Sequence, residues 1–313
     1  MLKEGIDFIF YSAFVLDPES KLISSLNFFV YDSIKILLLL FFMIAIVAFL
    51  RSYVRTKDVR RKLEKSRFGH LIASSFGALT PFCSCSSIPI FLSFIRARIP
   101  LGIAFSFLIT SPLVNEYLVV LMFGFFGWKI TLIYVISGIL LGVIGGMILG
   151  RLRLEGLIVD DISARDADKK FNNIKERIRY GIDESISIVR KLWVWILLGV
   201  GLGAIIHNYV PSETIQGIVA AGGVFAVPLA VLMGVPMYGS CAAIVPIALV
   251  LFNKGVPLGT ALAFMMATAA LSLPEAVILR RAIRIKLILM FFALVTLGIV
   301  FTGYVFNLLA ALL

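Results

Sequence analysis

The residues of this chain best suited to chemistry are its three cysteines, each set in a stretch rich in proline, serine and glycine. Cys83 and Cys85 lie in Pro-Phe-Cys-Ser-Cys-Ser-Ser-Ile-Pro, residues 81–89, and Cys241 in Pro-Met-Tyr-Gly-Ser-Cys-Ala-Ala-Ile-Val-Pro, residues 236–246. Thiolates are soft ligands and select soft partners such as trivalent arsenic, copper(I) or other sulfur centres. The competing reading is plain packing, since cysteine also serves as a small apolar residue at helix junctions. That every cysteine falls at a break in apolar sequence favours contact with a substrate. Ser84, Ser86, Ser111, Ser240 and Ser272, with Tyr238 and Asn115, would add polar contacts for the same solute. A resident metal or cofactor is not expected. Cys-x-Cys lacks the Cys-x-x-Cys spacing of a structural zinc site, and the two histidines, His70 and His207, fall near opposite span ends, where they read as interface residues.

The segments that position these residues come in two copies. Pro89 recurs as Pro246, 157 positions on, and at the same spacing Pro100-Leu101-Gly102, Ala104 and Phe107 recur as Pro257-Leu258-Gly259, Ala261 and Phe264. In both copies the break is where a helix stops and exposes backbone groups. Hydrocarbon tolerates such backbone only inside protein or beside a cavity. Duplicated membrane units with broken helices point to the midplane binding site of a secondary transporter.

Composition requires the membrane. The 313 residues are 60% hydrophobic and 15% charged, whereas soluble domains carry about 25% charged residues. The net charge of +11 sits in loops beside apolar spans, as membrane orientation demands, so lipid and not nucleic acid is the expected partner. Glu4 and Asp7 precede the short apolar run 8–16, which argues against a signal peptide. An odd number of cysteines argues against a disulfide framework. No Gly-x-x-x-x-Gly-Lys-Ser/Thr loop occurs, so ATP-driven pumping by this chain alone is not expected.

The expected organisation is a peripheral segment at 1–30, a first transmembrane repeat at 31–150, a basic cytoplasmic linker at 151–184 and a second repeat at 185–313. The linker's Phe171, Ile174, Ile178 and Ile182 have the spacing of a helix lying on the inner leaflet. Charge decides the path of the first cysteine unit. If residues 68–98 crossed the membrane, the basic linker would be exported; if they form a re-entrant hairpin, every large basic cluster stays inside. The hairpin is the favoured reading. Each half then has three crossings and a hairpin, and an odd number of crossings inverts the second copy relative to the first. Gly138, Gly142, Gly146 and Gly150 read as scaffold, letting helices approach closely. Beyond the hairpins, Glu116 and Glu275 lie within two residues of corresponding places and read as proton-coupling acids, because carboxylates inside spans are costly and functional by default. Helix capping is the competing reading for both.

At these residues the chain resembles the ArsP/YraQ-type predicted permeases. The likeness rests on Pro-Phe-Cys-Ser-Cys-Ser at 81–86, on Pro100-Leu-Gly leading to Ser111-Pro112 and Asn115, and on Pro236, Tyr238, Cys241, Pro246 and Ser272-Leu273-Pro274. It covers roughly residues 30–310. The resemblance implies a permease; in the arsenical branch it implies export of trivalent organoarsenicals through paired thiols, with thiol compounds such as glutathione as the other substrate class. Asn115-Glu116 departs from the Asn-Pro expected of many relatives. The resulting expectation is an all-α polytopic protein of the cell (inner) membrane, with two inverted-topology repeats, that moves a small soft or thiol-reactive solute, with homo-oligomers compatible. The alternative is a membrane thiol redox or sulfur-transfer enzyme using Cys83 and Cys85, which would carry a reversible disulfide or persulfide during turnover.

Overall fold

The computed structural model describes residues 21–52, 68–80, 84–96, 98–152, 154–158, 173–209, 223–235, 255–272 and 283–310, with shorter stretches at 245, 247–249, 251–252, 275–276 and 279–280. The described residues are almost entirely helical. The helices are α1 (Lys21–Arg51), α2 (Gly69–Leu79), α3 (Ser84–Arg96), α4 (Leu101–Leu113), α5 (Glu116–Arg151), α6 (Ile174–Tyr209), α7 (Ala226–Gly234), α8 (Leu258–Ala270) and α9 (Ile285–Ala310). The one extended pairing among them is an isolated antiparallel bridge, Ile158 to Ile283, beside which the Arg284 amide donates to the Leu157 carbonyl. It ties the basic end of α5 to the basic start of α9.

Two stretches, residues 118–151 and α9, are long and apolar enough to cross a bilayer. At about 1.5 Å per residue, the 36 residues of α5 would reach about 54 Å, more than a bilayer core needs. Gly127, with φ of +80°, breaks the helix there, and only glycine enters that region without penalty. Helix α1 starts at Lys21, ten residues before the expected boundary, and runs unbroken through the first span. Helix α6 likewise starts inside the expected linker. Ile174, Ile178 and Ile182 lie exposed along its first turns, while Gly181 and Ser185 face α1. The two helices are antiparallel: the Ser185 hydroxyl donates to the Phe41 carbonyl at 2.6 Å, Arg177 bonds Ser52, and Gly201 faces Phe29.

At the centre are α4 and α8, in which every residue is buried. Around each, the same contacts recur at the 157-residue spacing. A Cβ on Gly77 of α2 would stand 3.0 Å from the Phe107 carbonyl oxygen, and one on Gly234 of α7 would stand 3.0 Å from that of Phe264. A Cβ on Gly102 would stand 2.8 Å from the Gly150 Cα, and one on Gly259 would stand 2.7 Å from the Asn307 nitrogen. The stripe Gly138, Gly142, Gly146 and Gly150 lies against Val114, Thr110, Ser106 and Gly102, so α5 descends along α4 antiparallel at backbone contact. The scaffold reading of that stripe holds.

The directions of α2 and α3 follow from their partners on α4. His70 meets Ser106 and Gly77 meets Ser111, so α2 runs with α4. Ser87 meets Ser111 and Phe91 meets Phe105, so α3 runs against it. Helices α2 and α3 therefore form an antiparallel pair. It closes on Arg98, with φ of +55°, whose amide donates to Ile95 while Ile99 donates to Phe94. The equivalent Gly255, with φ of +90°, donates to Phe252 while Val256 donates to Leu251. This is the left-handed cap that ends helices, with arginine in one copy and glycine in the other.

Across the molecule, Leu141 of α5 packs on Gly298 of α9, and Gly145 packs on Leu294, so these helices are antiparallel. They border an apolar groove of about 470 Å³ lined by pairs 157 residues apart, Ser137 with Leu294, Leu140 with Leu297 and Ile144 with Phe301 among them. Leu297 and Phe301 are exposed, as lipid-facing side chains are.

Candidate functional site

Both central helices end in a break. Helix α4 stops at Leu113 and the chain re-enters helix at Glu116; α8 stops at Ala270, and Glu275 and Ala276 are helical again among the described residues. Pro112 lies inside the last turn of α4, where its missing N–H leaves one bond of the helix unmade just before the break. At the first break Asn115 is extended, φ −120° and ψ 157°, and its side chain accepts the Leu118 amide at 2.8 Å, the geometry of an N-cap. At the second, the Ser272 carbonyl accepts the Ala276 amide, as Asn115 accepts Val119.

Polar side chains concentrate where the first hairpin meets α4. The Ser87 and Ser111 hydroxyls lie 2.7 Å apart, both buried. Ser87 is in the first turn of α3, three residues after Ser84, so the start of α3 rests near the break. Tyr134 of α5, fully buried, donates to the Leu113 carbonyl at 2.9 Å. Further down α4, His70 Nδ1 and Ser106 Oγ are 2.9 Å apart, Ser74 donates to the Ser106 carbonyl at 3.4 Å, and Thr110 donates to it at 2.9 Å. The residues 157 positions on from these four are Val227, Val231, Ala263 and Ala267, all apolar. His70 thus ties the hairpin to the core. Nothing in the sequence pairs it with Ser106, 36 residues away, though the loss of four polar residues between copies is visible there.

Of the expected site residues, Ser111, Asn115 and Ser272 are buried at the breaks. Ser84, Cys85 and Ser86 are in the first turn of α3, where their side chains lie outside the described residues. Cys83, Tyr238, Ser240 and Cys241 lie wholly outside them. The two acids differ. Glu116 is exposed in the first turn of α5, whereas Glu275 is 2% exposed. The residue 157 positions before Glu275 is Leu118, also buried, so the carboxylates do not occupy equivalent sites.

A family model described as a predicted permease matches residues 21–308, which take in both hairpin helices, both central helices and both breaks. The chain belongs to this predicted permease family. Among curated relatives of the permease, one from Streptococcus mutans, described as a candidate subunit of a two-component membrane permease complex, is 24% identical over 54% of this chain and 58% of its own length. The UPF0718 protein YcgR of Bacillus subtilis is 23% identical over 60% of this chain and 66% of its own. The UPF0718 protein MJ0584 of Methanocaldococcus jannaschii is 20% identical over 75% and 81%. The chain thus spans about three fifths to two thirds of the first two relatives. No solved structure is significantly similar. The permease is a multi-pass cell-membrane protein, and its buried hydroxyls, broken helices and helical hairpin are the parts from which an intramembrane berth for a small solute can be built.

Proposed function

We propose that the permease is a secondary transporter that carries a small soft or thiol-reactive solute, a trivalent organoarsenical or a thiol compound, through a midplane site between its two helix breaks. The observation that carries this reading is the recurrence of the same helix contacts at one spacing around two antiparallel centres. Leu141 and Gly298, themselves 157 positions apart, touch each other, and residues on either side pair in opposite order. That is the relation expected of two inverted-topology repeats about an axis in the membrane plane. Under it, the hairpin α2–α3 is re-entrant from the cytoplasmic face, and its counterpart enters from the other.

The reversal of α3 against α2 supports the re-entrant path, because both ends of the hairpin then lie beside the start of α4 and near Gly150 and Arg151. The thiols of Cys83, Cys85 and Cys241 supply the affinity for a soft acceptor; Ser111, Asn115 and Ser272 supply polar contacts. The test is uptake into, or efflux from, proteoliposomes with the trivalent methylarsenical and with glutathione. Cys83→Ala, Cys85→Ala and Cys241→Ala are expected to lower transport by at least tenfold while the purified variants stay monodisperse. Normal transport by all three would remove the thiol mechanism.

A further inference from the structure

The groove between α5 and α9 is built from both halves of the chain. Its two walls repeat one another at the 157-residue spacing, Ile144 answering Phe301 and Ile148 answering Val305. From Ile133 to Ile148 it runs about 22 Å along α5 at helical rise, most of a hydrocarbon core about 30 Å thick. Leu140, Ile144, Leu297 and Phe301, each more than half exposed, face the lipid that is the solvent on that side.

The two ends of the groove carry different charge. Arg151 is three residues past Ile148 and seven past Ile144, so it continues the α5 wall by one turn. Lys286 is eleven residues before Leu297, about three turns, and continues the α9 wall at the same end. The packing of Gly145 on Leu294 and of Leu141 on Gly298 sets Arg151 level with Ile288, so Lys286 and Arg284 lie within about 6 Å of it along the helix axes. The bridge of Ile158 to Ile283 and the bond from the Arg284 amide to the Leu157 carbonyl hold these segments together. All three cations are exposed, and among the described residues none pairs with an acid. At the opposite end the residues 157 positions from Arg151, Arg284 and Lys286 are Leu308, Gly127 and Lys129, so one cation stands there against three.

An acyl chain gains little by leaving bulk lipid for this groove, because lipid tails are as apolar as the leucines that line it. Selection must come from the headgroup. Basic side chains gathered between transmembrane helices at the cytoplasmic side hold anionic lipid headgroups, each cation adding a factor of about five in binding. We propose that the groove between α5 and α9 seats an acyl chain of an anionic phospholipid whose phosphate is held by Arg151, Arg284 and Lys286. The same charges count against a second copy on this face, since copies related by an axis along the membrane normal would bring their two three-cation ends together. A lipid seated there touches both halves beside the contact of Leu141 with Gly298. Its binding involves no transported solute, so it stands apart from the carrier reading.

The test is native mass spectrometry of the delipidated permease in neutral detergent, titrated with dioleoyl phosphatidylglycerol and, separately, with dioleoyl phosphatidylcholine. The wild type is expected to retain one phosphatidylglycerol about tenfold or more tightly than phosphatidylcholine. Arg151→Gln, Arg284→Gln and Lys286→Gln each weaken phosphatidylglycerol about fivefold and leave phosphatidylcholine unchanged, whereas Lys129→Gln, at the opposite end, changes neither. Ile144→Trp, which fills the tail seat from an exposed position, weakens both lipids. Inorganic phosphate at the same concentrations, an anion without a tail, does not displace the lipid. All of these substitutions are at exposed positions on two helices, so a variant that fails to fold leaves the others to decide. Equal retention of the two lipids, displacement by phosphate alone, or a loss as large in Lys129→Gln as in Arg151→Gln overturns the proposal. So does a stable dimer that Ile144→Trp abolishes, which would give the groove to a second copy.

Discussion

Arg98 and Gly255 close corresponding turns, both with positive φ, and the difference between them is a direct measure of what a side chain costs in that conformation. For an L-residue with a Cβ the left-handed region costs roughly 1–2 kcal/mol relative to glycine. Arg98→Gly is therefore expected to raise stability by about 1 kcal/mol, and Gly255→Ala to lower it by a similar amount, each read from thermal melts in detergent. A null result for both would mean that the turn relaxes without the residue. At this scale the sequence was only partly legible. Ser111, Asn115, Ser272 and Glu275 stand out as polar residues beside prolines in apolar runs, and all are buried at the breaks. Glu116 shows the same pattern and is exposed, because a shift of two residues along a helix turns a side chain by about half a turn. The hydrogen bonds of His70 and Tyr134 were not legible, since each partner is set by how two helices lie side by side.

At the scale of elements, the close crossings of α4 with α5 and of α8 with α9 are backbone against backbone. Overpacking such a contact costs typically about 1–3 kcal/mol. Gly102→Ala and Gly259→Ala are each expected to destabilise by that amount, whereas Gly156→Ala, with open space around its Cβ position, should change stability by less than about 0.5 kcal/mol. Denaturation in mixed micelles of increasing sodium dodecyl sulfate fraction orders the three. The glycine spacing announced these crossings, and the prolines announced the breaks. The spacing of Ile174, Ile178 and Ile182 announced a helix at the start of α6, but neither its unbroken run into the following span nor the start of α1 at Lys21 was announced. Hydropathy loses the helix where Ser25, Asn27 and Ser33 or Glu176, Arg177 and Asp183 interrupt it, but the two helices pack along their length and carry one another past those residues.

For the whole molecule, the antiparallel register of α5 and α9 makes a prediction independent of any transported solute. With the native cysteines replaced by alanine, Leu141→Cys combined with Gly298→Cys, and Ser137→Cys combined with Thr302→Cys, should each form an intramolecular disulfide on mild oxidation, detected by mass spectrometry. Ser137→Cys combined with Leu294→Cys should not, because antiparallel pairing separates them by about eight residues, roughly 12 Å at helical rise. The opposite outcome would set the helices parallel. Duplication was legible from the prolines alone, and the basic clusters favoured a path that folds back on itself; which helices would touch across the two copies was not, since lipid-facing and partner-facing leucines look alike in sequence. The contact of Leu141 with Gly298 has a kinetic corollary. If the permease works as the inverted-repeat carrier proposed above, the point its two halves share is a fulcrum that stays still while the far ends swing. A fluorophore pair astride that point would be silent through a working cycle, and pairs spanning each hairpin and its central helix would flicker in antiphase.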